Sequence, residues 1–375
     1  MDFDLTEEQS LLRDMIGGFV ADRYGFEQRA AAMRAPDGFS RVVWRELAEL
    51  GLLGLPFAEA DGGIGGGGVE AMLVMEALGR GLLVEPYFGC ILLAGGALRL
   101  AGSPEQKARL IGPVIAGERI LALAHQERTG PRHTVTRLAT RAVRDGPAWR
   151  LTGTKTAVIA GASADELVVS AVTEDGVALF LVDPTAPGVR VLQRTGFDGT
   201  ALADITFQDV GLSGAALLPA SGAVVLTRLF EEANAALCAE AVGIMADLLD
   251  TTIEYLKTRT QFGVAIGSFQ ALQHRAAEML MQVELARSMA ILAALSLDRA
   301  PEERWRSIAA AKAKIGQAGR FVGQQAVQLH GAIGLAMEHK VGHGFKRLTA
   351  IEMSFGDTDH HIDALAEAGG LIAIA

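Results

Sequence analysis

Cysteine and clusters of basic residues are scarce in this 375-residue sequence, and both shortages exclude classes of protein. The two cysteines, Cys90 and Cys238, are too few for a disulfide framework, which favours a reducing compartment such as the cytoplasm. A net charge of -10 without any basic run argues against a nucleic-acid partner. The most apolar run, residues 88–98, is too short to span a bilayer, so no membrane partner is expected.

The sequence does contain hydrophobic patterning, and its period changes twice along the chain. Helical spacing dominates residues 1–119, with capping boxes predicted at residues 6–9 and 103–106. Short strands separated by turn residues follow over residues 120–220, and helical periodicity returns over residues 221–375. The sequence therefore predicts an α+β chain with a helical N-terminal domain, a central β domain and a C-terminal helical bundle.

The stretch from residue 259 to residue 270, Arg-Thr-Gln-Phe-Gly-Val-Ala-Ile-Gly-Ser-Phe-Gln, separates two long helical segments and predicts the turn of a helical hairpin. Gly263 and Gly267 supply the backbone freedom that ends the first helix. Arg259, followed by a glycine turn with exposed amides, suits a phosphodiester ligand. The same pattern also forms ordinary helix C-caps, and spacing alone favours the cap.

A second stretch, Gln328-Leu329-His330-Gly331-Ala332-Ile333-Gly334, follows about 70 residues later. Together the two stretches resemble the acyl-CoA dehydrogenase family, which carries Arg-x-x-Phe-Gly and Gln-x-x-Gly-Gly-x-Gly at these places. Either motif alone is a moderate signal, but both in this order, flanked by long helices, are hard to obtain by chance. The resemblance covers nearly the whole chain and implies an acyl-CoA dehydrogenase-like fold.

The resemblance implies FAD as cofactor, an acyl-CoA thioester as substrate and α,β-desaturation as reaction. A carboxylate removes the proton α to the thioester while a hydride leaves the β carbon for the flavin. In the family, one subunit holds the flavin ring and its neighbour contacts the adenosine and pyrophosphate through the two motifs. The residues that match this second role are Arg259, Gln261, Phe262, Gly263, Phe269, Gln270, Gln328, Leu329, Gly331 and Ala332.

The position of the catalytic base departs from the family. With the second motif aligned, the family's Tyr-Glu-Gly-Thr falls on Ser354-Phe355-Gly356-Asp357, so Phe355 stands where the glutamate is expected. Phenylalanine cannot accept a proton. Some members place the base on the helix that begins near Phe230, but this chain has Ala233 there.

Two glutamates near that second position are candidate replacements for the base. Glu232 adjoins Ala233, but one residue along a helix is a rotation of about 100°, so Glu232 is predicted to be a solvated charge. Glu240 is a lone polar residue on an apolar helical stretch. A structural role is favoured for Glu240, and a displaced base remains the alternative.

The flavin-ring site in the β domain also departs from the family. The family's Thr-Glu-Pro becomes Gln126-Glu127-Arg128, and its Gly-Ser-Asp has no clear equivalent in Pro131-Arg132-His133. The ring-stacking Trp-Ile-Thr becomes Ala157-Val158-Ile159, which lacks an aromatic face and a hydroxyl. This β domain is therefore expected to hold an isoalloxazine poorly.

The pattern of kept and lost residues favours a base-lacking subunit that completes the FAD site of a second acyl-CoA dehydrogenase-family subunit. It resembles the small subunits of heteromeric members such as pimeloyl-CoA dehydrogenase. Two alternatives remain: a self-sufficient homomeric dehydrogenase with a displaced base, and an acyl-CoA-binding scaffold without redox activity. A tetramer is expected, because the apolar residues around 283–297 and 308–327 exceed what one internal face needs.

No metal site is expected. His360 and His361 are the only pair that suggests ligands, but neighbours on a helix point about 100° apart, so a solvated turn is predicted there. Met279, Met281 and Met289 are predicted to lie in the core.

Overall fold

The computed structural model describes residues 5–128 and 134–369, and its elements follow a helix, strand, helix order along the chain. This order confirms the predicted α+β architecture. The substitution predicted at Pro131-Arg132-His133 lies outside the described residues.

The N-terminal helices begin where the sequence provides caps. Thr6 Oγ1 accepts a hydrogen bond from the Gln9 amide at 3.2 Å, and Ser103 Oγ accepts one from the Gln106 amide at 3.2 Å, so both predicted capping boxes are confirmed. The apolar run at residues 88–98 is largely a buried π-helix, Tyr87–Gly95. The α-helices are α1 (Glu7–Arg23), α2 (Phe26–Arg34), α3 (Arg41–Glu49), α4 (Gly68–Gly81), α5 (Gly96–Ala101) and α6 (Pro104–Ile115).

The middle of the chain forms a seven-stranded sheet in the order β1-β4-β2-β3-β7-β6, with β5 paired to β4. Its strands are β1 (Leu121–Ala124), β2 (Arg141–Asp145), β3 (Ala148–Ile159), β4 (Glu166–Thr173), β5 (Gly176–Val182), β6 (Val189–Thr195) and β7 (Ala201–Leu212). Strand patterning at residues 149–153, 166–172, 177–182 and 203–207 predicted β3, β4, β5 and β7. It missed β1, β2 and β6; the edge strand β6 is mostly exposed and carries polar side chains that hide the strand period.

The C-terminal helices confirm the predicted helical hairpin. A two-residue ladder, β8 (Thr260–Gln261) with β9 (Val264–Ala265), lies between its two helices and was not predicted. The helices are α7 (Gly222–Thr258), α8 (Gln270–Ser296), α9 (Pro301–His330), α10 (Lys340–Glu352) and α11 (Thr358–Glu367).

The described chain divides into two compact units. The helical unit contains the chain up to Arg29, Gly68–Leu83 and the chain from Asn234 onward. The mixed unit contains Ala30–Gly67 and Val84–Ala233, and its sheet packs around an apolar core that includes Leu151, Phe180 and Phe207.

One described helix, α8, is long and apolar enough to cross a membrane by length and composition alone. A core helix of a globular protein passes the same test, so this finding is weak evidence for a membrane span.

The packing of α8 and α9 corrects two expectations about their apolar residues. On α9, the large apolar side chains Ile308, Ile315 and Val322 are buried within the chain itself, so they are not available as an intersubunit surface. On α8, Met279 is buried as predicted, but Met281 is exposed, because a helical residue two positions further on points to another face.

Candidate functional site

The turn that carries Arg259 projects from the helical unit. Phe262 and Gly263 both have positive φ, +52° and +81°, as a two-residue turn between paired strands requires. Glycine adopts this conformation without strain, whereas Phe262 does not. The Phe262 side chain is 91% exposed, and its ring lies 6.1 Å from that of Phe269.

The structure brings the two sequence motifs together. The amide of Arg259 donates to the carbonyl of Tyr255 at 2.9 Å, and the Tyr255 ring stacks on His330 with a centroid distance of 4.5 Å. His330 Nδ1 donates to the Ala326 carbonyl at 2.8 Å, which fixes the imidazole at the end of α9. Burial lowers the pKa of His330, which favours the neutral form of the ring. The neutral ring can stack on Tyr255 without burying a charge.

Most of the matched residues around this junction are exposed. Gln328, Gly331 and Ala332 are exposed at the end of α9, whereas Leu329 is buried. The other exposed members are Arg259, Gln261, Phe262, Gly263, Phe269 and Gln270.

The chemistry of this surface fits the adenosine and pyrophosphate half of FAD. The Arg259 guanidinium is exposed and forms no ion pair with any described residue. A guanidinium beside exposed glycine amides provides charge and donors for phosphate oxygens. Exposed aromatic and amide side chains nearby are groups that contact a nucleoside. Arg259, Phe262 and Gln328 would therefore hold this half of the cofactor.

Residues 157–159 of the β domain lack the side chains that the resemblance expects beside a flavin ring. No aromatic side chain and no hydroxyl occurs at Ala157-Val158-Ile159, and Val158 is buried. Ile159 lies so close to the π-helix that a Cβ added at Gly89 would meet its Cγ2 at 2.6 Å. An isoalloxazine needs a flat apolar face and hydrogen-bond donors, and these residues provide neither.

A buried polar cluster lies next to that segment. Lys155 Nζ donates to Glu127 Oε1 at 2.8 Å, to the His125 carbonyl at 3.0 Å and to Ser170 Oγ at 3.1 Å. The carboxylate of Glu127 also accepts from the amides of Ala139 and Thr140. Sequence reasoning aligned Glu127 with the family but missed its partners, which are Lys155 on β3 and the amides of Ala139 and Thr140 just before β2.

The pKa values of this cluster follow from burial and from its hydrogen bonds. Burial lowers the pKa of Lys155 to about 8, against the opposing effect of Glu127. Burial would raise the pKa of Glu127, but hydrogen bonds from Lys155, Thr140 and Ala139 lower it to about 2. Burial and the nearby Lys155 charge lower the pKa of His125 to about 4. The cluster is therefore a neutral histidine beside an ion pair, and its bonds tie strands together.

The position aligned with the family's glutamate lies in a bent loop. Phe355 has φ +54°, and its carbonyl accepts a hydrogen bond from Asn234 Nδ2 at 3.3 Å. The alternative position, Ala233, is buried on α7. Neither side chain can take a proton.

Glu240 forms a bidentate ion pair within the helical unit. Arg347 Nε lies 2.5 Å from Glu240 Oε1, and Arg347 Nη2 lies 2.8 Å from Glu240 Oε2. Only 8% of the Glu240 side chain is exposed. Both of its oxygens are engaged by the Arg347 guanidinium, so neither oxygen is available to abstract a proton from a substrate.

Two predictions about solvated charges are wrong. Glu232 is only 17% exposed and bridges Arg99 at 2.5 Å and Arg228 at 2.8 Å. His361 is buried and packs edge-on against His360, with ring centroids 5.0 Å apart. Sequence reasoning missed the pairing of Glu232 with Arg99 because the two residues are remote in sequence.

A cavity of about 690 Å³ lies in the helical unit, and it is separate from both motifs. It is lined by helices α1, α4, α7 and α8, with apolar walls such as Val20, Met72 and Ile291. Several cations at this cavity are paired, including Lys340 with Asp247 at 2.7 Å. None of the residues matched to FAD lines it.

Comparison with known proteins identifies the fold. Residues 6–118 match the acyl-CoA dehydrogenase N-terminal domain, residues 122–210 the middle domain and residues 220–370 the C-terminal domain. Acyl-CoA dehydrogenase FadE27 of Mycobacterium tuberculosis (strain ATCC 25618 / H37Rv) is 32% identical over 369 residues, covering 95% of both chains.

Solved structures agree with that match. A chain of the ChsE4-ChsE5 complex from Mycobacterium tuberculosis has a TM-score of 0.89 at 30% identity and covers 98% of each chain. A structure of PigA with FAD and proline has a TM-score of 0.90 at 25% identity, over 99% of this chain and 100% of that one.

Proposed function

Because this chain belongs to the acyl-CoA dehydrogenase family of FAD-dependent oxidoreductases, we propose that it is the base-lacking subunit of a heteromeric dehydrogenase and completes its partner's FAD site. The reaction would be α,β-desaturation of an acyl-CoA thioester. FAD supplies hydride acceptance when bound. This chain's contribution would be to bind and orient the adenosine and pyrophosphate from across the subunit interface.

One observation carries the proposal. The residues that would contact the adenosine and pyrophosphate of a neighbour's FAD are mostly present and exposed, whereas the residues expected beside the flavin ring are replaced. Arg259 and Gln328 present polar groups to solvent, and Tyr255 with His330 holds their two segments side by side. By contrast, residues 157–159 offer an isoalloxazine no aromatic face and no hydroxyl. A homomeric enzyme, in which every subunit both holds a flavin ring and completes its neighbour's site, would need both halves.

The state of the candidate bases supports a subunit without its own proton acceptor. Phe355 and Ala233 occupy the two positions at which the resemblance expects a carboxylate. Glu240, the displaced candidate, is held by Arg347 through both oxygens. This geometry disfavours the self-sufficient dehydrogenase, which needs a free carboxylate beside the substrate.

A similar solved structure is a complex of two proteins, ChsE4 and ChsE5, and this also favours a paired assembly. We extend the proposal to a tetramer built with a second family member. Leu280, Met281 and Leu285 on α8 are large apolar side chains that remain exposed in the single chain and would lie in such an interface. A cytoplasmic location and domain boundaries near residues 119 and 220 belong to the same proposal.

The test is the FAD content of the chain alone and of the co-expressed complex with a second family member that retains the glutamate. Absorbance at the flavin band against protein concentration gives the stoichiometry. We expect little FAD in the isolated chain and about one FAD per pair of chains in the complex. One FAD per isolated chain together with turnover would instead support the self-sufficient dehydrogenase. A stable complex that contains no FAD would support the scaffold.

A further inference from the structure

Lys312 on α9 is a fully buried cation whose hydrogen bonds all go to one short segment of backbone. Only 1% of the residue is exposed. Nζ donates to the carbonyls of Glu352 at 3.1 Å, Ser354 at 2.9 Å and Gly356 at 2.8 Å. An ammonium has three donors, and here each one meets a carbonyl. The 352–358 segment runs from the last residue of α10 through the connecting loop to the first residue of α11.

The same face of α9 approaches this segment at two further positions. Gly316 lies one turn after Lys312, and a Cβ added there would meet Thr358 Oγ1 at 2.4 Å, so only glycine permits the approach. Arg320, one turn further, pairs with Glu352 at 3.2 Å. The Glu352 carboxylate also accepts from the Thr358 amide at 3.2 Å, which closes the loop on itself.

The loop holds Phe355 in an uncommon conformation. A left-handed backbone, with φ +54°, is unfavourable for a large side chain and persists only where its surroundings determine it. Lys312 holds the carbonyls of Ser354 and Gly356 on either side of Phe355, and Asn234 donates to the Phe355 carbonyl itself. Three consecutive carbonyls are therefore fixed from outside the loop.

From this geometry we propose that Lys312 is a positioning residue, which sets the backbone of the 352–358 segment and so the direction of the side chain at position 355. This support lies at the position where the family resemblance expects a base, and the residue there is phenylalanine. The inference rests on the proposed function only where it takes position 355 to correspond to the family's catalytic glutamate. The hydrogen bonds themselves do not depend on it.

The charge state of Lys312 makes its hydrogen bonds to the segment depend on pH. A side chain that only filled space would not show this dependence. Burial lowers the pKa of Lys312 to about 8, while Cys238 on α7, Glu352 on α10 and Asp357 in the loop act in the opposite direction. A neutral amine has two N–H donors for three carbonyls. One hydrogen bond to the segment is therefore lost as pH rises through about 8.

The experiment is hydrogen–deuterium exchange, read by mass spectrometry on peptides that cover residues 350–358, at pH 6.5 to 9.5 and corrected for intrinsic exchange. The informative amides are those of Met353, Ser354 and Thr358, which are hydrogen-bonded at the ends of the loop. The variant Lys312→Met keeps the apolar stem and removes the ammonium. The control is Lys314→Met on the same helix, whose Nζ contacts Gln282 at 2.7 Å and not the segment.

In the unmodified chain, we expect protection of the 352–358 segment to fall several-fold as pH rises through about 8. Lys312→Met should lower this protection about tenfold at pH 7 and abolish its pH dependence, and Lys314→Met should behave as the unmodified chain. If Lys312→Met does not fold, Asn234→Ala removes the donor to Phe355 and should loosen the same peptides. The pH profile of the unmodified chain needs no variant.

Two results would overturn the proposal. One is a flat pH profile in the unmodified chain, and the other is an even loss of protection across α9, α10 and α11 in Lys312→Met. Neither result bears on FAD stoichiometry, so failure of this inference is distinguishable from failure of the proposed function.

Discussion

Arg347 engages both carboxylate oxygens of Glu240, with contacts of 2.5 and 2.8 Å between residues 107 positions apart in the sequence. The pair joins α7 to α10 inside the helical unit. A buried charge without a counterion is costly, and this arrangement removes that cost for both residues. Glu240 thereby acts in this structure as half of an ion pair.

The variant Glu240→Gln should lower stability without a selective loss of activity. It removes the negative charge that faces Arg347, so the free energy of unfolding should fall by about 2–3 kcal/mol. Urea unfolding measures this loss, and turnover and FAD content of the complex should remain in proportion to folded protein. Glu278→Gln, an exposed position on α8, is the control and should change stability by less than about 0.5 kcal/mol. Turnover by the unmodified chain alone that Glu240→Gln abolishes at unchanged FAD content would contradict the structural role.

The variant Arg259→Ala should weaken FAD binding by the complex. A guanidinium bound to phosphate contributes roughly 1.5–3 kcal/mol, which corresponds to about a ten- to hundredfold change in Kd. Flavin fluorescence titration of the apo-complex measures it, and circular dichroism should show an unchanged fold because Arg259 is exposed.

The control for that variant is Lys257→Ala, near the same end of α7. Lys257 pairs with Glu254 at 2.8 Å and is not one of the matched FAD residues, so its removal should leave the Kd within about twofold. Equal FAD affinity in Arg259→Ala and the unmodified complex would mean that the turn is only a helix cap.

The variant Leu285→Lys should disrupt assembly. Leu285 is 50% exposed and Met281 56% exposed on one face of α8, and a charge placed among apolar side chains in an interface costs free energy. Sedimentation velocity should show a shift from tetramer to smaller species. Val42→Lys changes an equally apolar, exposed residue on α3 and should leave the assembly intact. A folded monomer from the unmodified chain, alone and with its partner, would refute the tetramer.

Stability should depend on pH through His125. Its folded pKa is about 4, below the ordinary 6.5, so between these values the unfolded state binds a proton that the folded state does not. The free energy of unfolding therefore falls as pH drops from 6.5, by about 2 kcal/mol at pH 4.5. The contribution of Glu127 to stability follows from a folded pKa of about 2 against an unfolded value of 4.5. It is present above pH 4.5 and is lost only below that pH.

Urea unfolding between pH 4.5 and 6.5 measures this dependence, to which His330, His339 and His343 add in the same direction because burial lowers their pKa values too. We expect His125→Gln to reduce the slope in this window, whereas His274→Gln, at an exposed histidine on α8, should leave it unchanged. If the pH slope of the unfolding free energy in His125→Gln equals that of the unmodified chain, His125 does not cause the pH dependence of stability.

Local chemistry allowed much of the fold to be predicted. Capping at Thr6 and Ser103 involves residues three apart, and the turn at Gly263 needs a backbone conformation that glycine favours, so sequence alone locates them. The edge strand β6 could not be found this way, because its side chains are mostly polar and its partner is β7.

The sequence by itself determined that residue 355 is a phenylalanine and residue 233 an alanine, because a side chain without a carboxylate cannot act as the base in any fold. Only the tertiary structure decided whether the remaining charged side chains are paired, buried or solvated. Glu240 and Glu232 are paired and Lys312 is buried against three carbonyls because partners remote in sequence meet them in the folded chain. Burial and pairing are properties of three-dimensional neighbours, which no local pattern encodes.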